Sequence, residues 1–144
     1  MSSDPRVDTV ESLFKAWSSG NVDAPERFFH PDAVLYDIVG GTHSGWLAIR
    51  TFFDSGLKQW PDLVLLPDGY WTNDDGVAVR WIMSATVPDA SVFGAQAVGR
   101  KWTSEGMSHI DFHDGRIRRE VDYHDSAAAS RSLGITMKRN RTEG

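Results

Sequence analysis

The stretch Arg116 to Asp125, Arg-Ile-Arg-Arg-Glu-Val-Asp-Tyr-His-Asp, carries two carboxylates and an imidazole at alternate positions: Glu120, Asp122 and His124. In a strand, alternate side chains share a face. Extended, this segment sets Arg118, Glu120, Asp122 and His124 on one side and Ile117, Arg119, Val121 and Tyr123 on the other. Such a face is either a solvated surface or the wall of an acid–base site. In an apolar pocket a carboxyl group has its charged form disfavoured, which moves its pKa toward a range useful for proton transfer. Three further residues can join that chemistry. Asp37 stands just before Gly40-Gly41, as a base or as a turn residue. Arg80 shares a strand face with Ile82, Ser84 and Thr86. His109 falls opposite Glu120 when counted back from the Asp114-Gly115 turn, and a one-residue change of register brings Ser108 there instead. His109, Asp111 and His113 also alternate, but same-face positions on a strand lie about 7 Å apart. One ion does not bridge three of them, so no metal site is expected.

The elements that must position these residues follow from spacing. Val7, Val10, Leu13, Phe14 and Trp17 define an amphipathic helix over residues 5–19. Asp4 is its expected N-cap and Pro5 its first residue. Asp23 and Glu26 have capping-box spacing for a short second helix. A strand is expected over Ala33 to Ile38, then a bend at Val39-Gly40-Gly41. Ser44 is the expected cap of a helix from Gly45 to about Leu57. The remainder reads as strands: Leu63 to Thr72 with a bulge at Pro67-Asp68-Gly69, Val77 to Val87, Arg100 to His113, and the segment from Arg116. Asp114-Gly115 is a hairpin signal. A last short helix is expected from Asp125 to Leu133. Helices followed by long antiparallel strands predict an α+β domain, with helices packed on one face of a bent sheet around a pocket. One domain is expected over residues 1–135, followed by a basic, disordered tail at 136–144.

Composition narrows the function classes. The chain has 144 residues, a net charge of −5 and no cysteine. Thiolate catalysis, disulfides and Cys-based zinc sites are excluded. The charge disfavours nucleic acid as a partner. No run is long enough to span a membrane and the N-terminus lacks the apolar core of a signal peptide, so a cytoplasmic protein is expected.

Several segments resemble the SnoaL-like branch of the nuclear-transport-factor-two-like superfamily. They are Leu13 to Asp23, Phe29-His-Pro-Asp-Ala-Val34, Gly45-Trp-Leu-Ala-Ile-Arg-Thr-Phe-Phe53, Trp60-Pro-Asp-Leu63, Val77 to Trp81, Asp114 to Ile117, Tyr123-His-Asp125 and Leu133-Gly134. The resemblance covers residues 7 to 135 in order and implies a cone-shaped α+β fold. Its members include polyketide cyclases, limonene epoxide hydrolase, ketosteroid isomerase and scytalone dehydratase, enzymes that work without metal or cofactor. Others only bind ligands or partners.

The resemblance also implies roles. Asp122 matches the acid/base carboxylate on the last strand of SnoaL-type cyclases, with His109 (or Ser108) as its cross-strand partner. Asp37 matches the base of ketosteroid isomerases, but Leu13 and Ser108 stand where that family's oxyanion donors are expected, so ketosteroid isomerisation is not. Arg80 with Asp37 and Asp122 is similar to the charge set of limonene epoxide hydrolase, with Tyr36 a partial echo of its water-holding tyrosine. Glu120, His124, Tyr36, Arg80 and Trp81 are expected to contact substrate. The implied function is cofactor-independent cyclisation or isomerisation of a small hydrophobic or polycyclic, polyketide-like molecule of secondary metabolism. The alternatives are epoxide hydrolysis or opening, and a non-catalytic ligand-binding or dimerisation module. A homodimer through the open sheet face is expected.

Overall fold

The computed structural model describes residues 4–135; the basic tail at 136–144 lies outside them. Helix α1 (Pro5–Trp17) forms where expected. Val7, Val10, Leu13, Phe14 and Trp17 are all buried, and the Asp4 carboxylate caps the helix by accepting the Arg6 N–H at 2.9 Å. The capping box at Asp23 does not form. Residues Ala24–Phe28 make a 3-10 turn without a side-chain cap, and Asp23 instead pairs with Arg50 at 2.6 Å. Helix α2 (Trp46–Gln59) starts at Gly45, which has φ 83°, and not from a Ser44 cap. That left-handed conformation favours glycine, and its N–H is held by the Ala33 carbonyl at 2.8 Å. Among the described residues no helix is long and apolar enough to cross a membrane.

The strands are β1 (Phe29–Asp37), β2 (Gly41–Ser44), β3 (Val64–Asn73), β4 (Gly76–Thr86), β5 (Lys101–His113) and β6 (Arg116–His124), followed by the short helix α3 (Ala128–Ser132). They form one sheet in the order β2-β1-β6-β5-β4-β3, parallel between β1 and β6 and antiparallel elsewhere. The Gly40-Gly41 bend turns out to be a hairpin, with β2 returning along β1 and Gly41 opposite Asp37. The bulge expected in β3 is present as a shift of register between Pro67 and Gly69. Helices α1 and α2 cover the inner face, which makes the fold α+β. One cavity is lined from β1, β3, β4, β5 and β6 together. Five flat strands at about 4.8 Å spacing would spread roughly 20 Å, so the sheet must curl for all of them to reach it.

A bulge in β6 corrects the strict alternation expected there. Phe112 pairs with Ile117, yet Asp111 pairs with Arg119, leaving Arg118 as the extra residue. Ile117 and Glu120 are consequently both buried although three positions apart, and Arg118 and Arg119 are both exposed. A bulge opposes two residues to one and resets the pleat. Here it lets a core-packing residue and the acidic residues share one inner face.

Gly106 of β5 is fixed by close approach. A Cβ there would lie 2.5 Å from ring carbons of Trp81 and 2.6 Å from the Tyr123 carbonyl oxygen. Gly106→Ala is expected to destabilise the protein by about 1–3 kcal/mol, read as a lower urea midpoint with unchanged slope.

Candidate active site

The cavity has a volume of about 410 Å³, within the range of small-molecule sites. Its walls are chiefly aromatic. Phe14 and Trp17 come from α1, Phe52 and Phe53 from α2, Trp60 from the end of that helix, and Trp81 and Trp102 from β4 and β5. Against this apolar surface the sheet presents Asp37, Ser108, Glu120, Asp122 and His124. Register explains the grouping. Asp122 is level with Asp37 across the parallel pair and with Ser108 across the antiparallel one.

Two subsites are distinguishable. In the first, His124 Nε2 lies 3.1 Å from both carboxylate oxygens of Asp37. The Val39 and Gly40 N–H groups each donate to Asp37 Oδ1 at 2.8 Å. Burial pushes the Asp37 pKa up, but the His124 bond and the two backbone donors outweigh it and hold the carboxyl below its ordinary value. The same bond raises the His124 pKa against the opposing effect of burial. Each partner therefore favours the charged form of the other.

In the second subsite, the Ser108 hydroxyl donates to Asp122 Oδ1 at 2.6 Å and in turn accepts the Trp81 indole N–H at 2.9 Å. Glu120, only 4 % exposed, interacts with Asp122 as a hydrogen-bonding neighbour. Two carboxylates bond only with a proton between them. Burial, then the charge of Asp122, pushes the Glu120 pKa well up. Burial raises Asp122 too, against donors from Glu120 and Ser108 that favour its charged form. The proton accordingly sits mainly on Glu120. Glu120 Oε1 has no hydrogen-bond donor, which suits a neutral acid and would strand an ionised one.

The remaining site expectations divide by strand face. His109 is a correction: it pairs across the sheet with Ala78 and Val121, is exposed, and lies on the outer face away from Asp122. The register places Ser108 at Asp122 instead. Arg80 is also outward, bonded to Asp68 at 2.8 Å and Glu105 at 2.7 Å, so it does not join Asp37 and Asp122. Tyr36 alternates with the inward Leu35 and Asp37 and meets Tyr123 on the outer face, ring centroids 6.2 Å apart. Trp81 lines the cavity, its ring centroid 5.9 Å from that of His124. The sequence reading missed the Asp37–His124 pair. The signal was parity on two strands, but which strands are neighbours was not written in either one. Among the described residues no group of three or more His, Asp or Glu is arranged to hold a metal ion.

The curved sheet, its helical cover and the cavity between them define an α+β domain. The family model of the SnoaL-like domain matches residues 10–120, and the chain belongs to that family. No curated protein matches it. Solved structures share the fold. A proposed polyketide cyclase from Acidithiobacillus ferrooxidans is 19% identical with TM-score 0.81, over 94% of this chain and 100% of that one. A proposed polyketide cyclase from Sinorhizobium meliloti is 28% identical with TM-score 0.62, over 81% of this chain and 94% of that one. AclR, a proposed hydroxylase from Streptomyces galilaeus, is 23% identical with TM-score 0.75, over 90% and 96%.

The proton held on Glu120 has a consequence for stability. Above its ordinary pKa of 4.5 the unfolded chain releases this proton while the folded protein keeps it, so stability falls as pH rises from there toward the folded value. Asp37 acts oppositely, its contribution present above 3.8 and lost as pH falls through its lowered folded value. The His124 contribution is full below 6.5 and lost as pH rises through its raised value. Glu120→Gln keeps a donor toward Asp122 and removes the titration. Its melting temperature is expected to exceed that of the wild type by a few degrees at pH 8, with the difference vanishing near pH 4. A variant equally or less stable at pH 8 contradicts a neutral Glu120.

Proposed function

We propose that the protein is a cofactor-independent enzyme that catalyses proton transfer on a hydrophobic carbonyl compound, with ring closure of a polyketide-like chain as the fitting reaction. The observation carrying this is the placement of a buried carboxyl pair and an imidazole–carboxylate pair on one aromatic-walled cavity. Asp122 is the base. Its charged form is supported by Ser108 and Glu120, while burial keeps its proton affinity above that of a solvated aspartate. His124 is the acid. Asp37 occupies Nε2, leaving Nδ1–H as the other donor of the imidazolium.

In the proposed reaction Asp122 takes a proton from a carbon next to a ketone. The resulting enolate carbon attacks a second carbonyl carbon of the same molecule, forming a carbon–carbon bond. His124 protonates the oxygen of the attacked carbonyl, and exchange with solvent returns both residues to their starting states. The aromatic walls hold the chain folded, which lowers the entropic part of the barrier. The family membership and the fold shared with proposed polyketide cyclases support this reading. Epoxide hydrolysis built on Arg80 loses its cation to the outer face.

The test needs no natural substrate. In D2O the protein should accelerate deuterium incorporation into the methyl group of 2-acetylnaphthalene, followed by proton NMR. Asp122→Asn should reduce that acceleration by at least about 10²-fold with the fold intact. Near-full exchange in this variant refutes Asp122 as the base.

We also propose that a second copy covers the outer sheet face, where Leu66, Trp71, Met107 and Tyr123 are 57%, 56%, 43% and 52% exposed. Sedimentation at micromolar concentration should give a dimer, and Trp71→Asp should shift it toward monomer. A monomeric wild type rejects this interface.

A further inference from the structure

Trp81 is set apart from the other rings of the cavity wall by where its nitrogen goes. It stands opposite Gly106 on β5, two residues before Ser108, and side chains two apart on a strand share a face. A Cβ at Gly106 would lie 2.5 Å from ring carbons of Trp81, so the indole lies across the bare backbone there. That path brings its Nε1 diagonally to Ser108 Oγ, at 2.9 Å. Diagonal cross-strand neighbours are within reach of aromatic side chains. Ser108 in turn stands opposite Asp122 on β6, its hydroxyl 2.6 Å from Asp122 Oδ1. The adjacent strands β4, β5 and β6 thus carry one chain of hydrogen bonds, from indole to hydroxyl to carboxylate, and Trp81 and Ser108 are both buried.

The donor inventory gives the chain one direction. An indole N–H only donates, so Ser108 Oγ accepts from it. A hydroxyl has a single proton, and that of Ser108 goes to Asp122, its other side-chain partner among the described residues. Were Asp122 to carry a proton toward Ser108, the serine oxygen would accept twice, and its own proton would be left in the buried wall without an acceptor. The arrangement therefore favours the carboxylate form. Consecutive hydrogen bonds also polarise one another, so the indole strengthens the bond that Ser108 gives. Glu120, Asp37 and His124 act on Asp122 as well, the first as a bonding neighbour and the other two through their charges. All three act directly, whereas Trp81 acts through Ser108.

We propose that Trp81 is a positioning residue for the base: its indole N–H fixes the Ser108 hydroxyl with the proton aimed at Asp122, and so keeps that buried carboxyl group ionised and ready to accept a proton. This rests on Asp122 being the base proposed above and adds the means by which it is held in its working state. A residue that served only as wall would act in the opposite sense. Trimming such a residue admits water to the acids, and water favours their charged forms. Removing the indole N–H takes support away from the charged form of Asp122. The two roles therefore differ in the sign of their effect.

The experiment follows the Asp122 carboxyl carbon of the full chain by NMR through a pH titration, the signal being assigned by its loss in Asp122→Asn. Trp81→Phe retains a ring and removes the N–H. The apparent pKa of Asp122 should rise by roughly 0.2–0.6 pH units, the share that a neighbouring bond adds to one given to a charged group. Ser108→Ala removes the whole chain and should raise it by about 1–2 pH units. In the Ser108→Ala background, Trp81→Phe should bring no further rise, because the indole then has nothing to act through. An unchanged or lower value in Trp81→Phe, or an equal rise with and without Ser108, overturns the assignment. Should Trp81→Phe not fold, the wild type carries the same test. Its Trp81 indole N–H signal should follow the Asp122 titration and lose that dependence in Ser108→Ala, while any dependence on the neighbouring His124 ring remains. An indole signal indifferent to the Asp122 titration overturns the assignment too. Full deuterium exchange in Asp122→Asn with these shifts present rejects the base and leaves the chain from Trp81 to Asp122 standing. The reverse result rejects Trp81 alone.

Discussion

Three carboxyl groups and one imidazole share the polar edge of a cavity whose other walls are aromatic, and the electrostatics of the site follow from that count. Asp37, Glu120 and Asp122 cannot all be ionised in surroundings of low polarity with a single cation among them. The structure resolves this by assigning partners. Asp37 receives His124 and two backbone donors and is the stable anion. Glu120 is the most buried and keeps its proton. Asp122 is left between them, its pKa raised by burial against donors from Ser108 and Glu120 that favour its charged form. The base of the proposed reaction needs a carboxylate that can ionise yet is not so well satisfied that it refuses a proton, and the reading of Asp122 in that role rests on the balance between its burial and its donors.

That division depends on the backbone being bulged at Arg118. Without the extra residue, the parity that turns Ile117 into the core would send Glu120, Asp122 and His124 outward, and parity that buries the acids would expose Ile117. The bulge separates the two demands. Arg118 and its neighbour Arg119 are long cations, which tolerate exposure on both sides of the kink. The parallel pairing of β1 with β6 does the rest by setting Asp37 level with Asp122. Position on the sheet, more than any local motif, creates the site.

This also explains how far the sequence could be read. The helices at Pro5 and Trp46, the β3 bulge and the β5–β6 hairpin have local causes: apolar spacing, a cap, a proline, an Asp-Gly turn. The grouping of Glu120, Asp122 and His124 follows from their spacing of two, beyond the bulge. His109 was misplaced because counting back from the hairpin turn assumes an uninterrupted ladder, and the extra residue moves the partner of Asp122 to Ser108. Nothing in the run from Arg116 to Arg119 announces a bulge, because its residues are all compatible with a regular strand and contain no glycine or proline. Arg80 failed for another reason. Its strand face was read correctly as distinct from that of Trp81, but the direction of that face depends on where the helices pack, and the ion pairs with Asp68 and Glu105 lie outside. The Asp37–His124 pair joins residues far apart in the chain and required the sheet order itself.

The aromatic lining has two effects that cannot be separated. It supplies the apolar surface on which the proposed substrate would rest, and it excludes the water that would otherwise lower the proton affinity of Glu120 and Asp122. Trp81 makes the coupling explicit, since one ring both lines the cavity and donates to Ser108, which donates to Asp122. Gly106 secures that ring by leaving no side chain beneath it. A change in the Trp81 wall thus alters the shape of the cavity and the proton affinity of the acids together, while a change at the Trp60–Trp102 end alters its shape with the acids left in place.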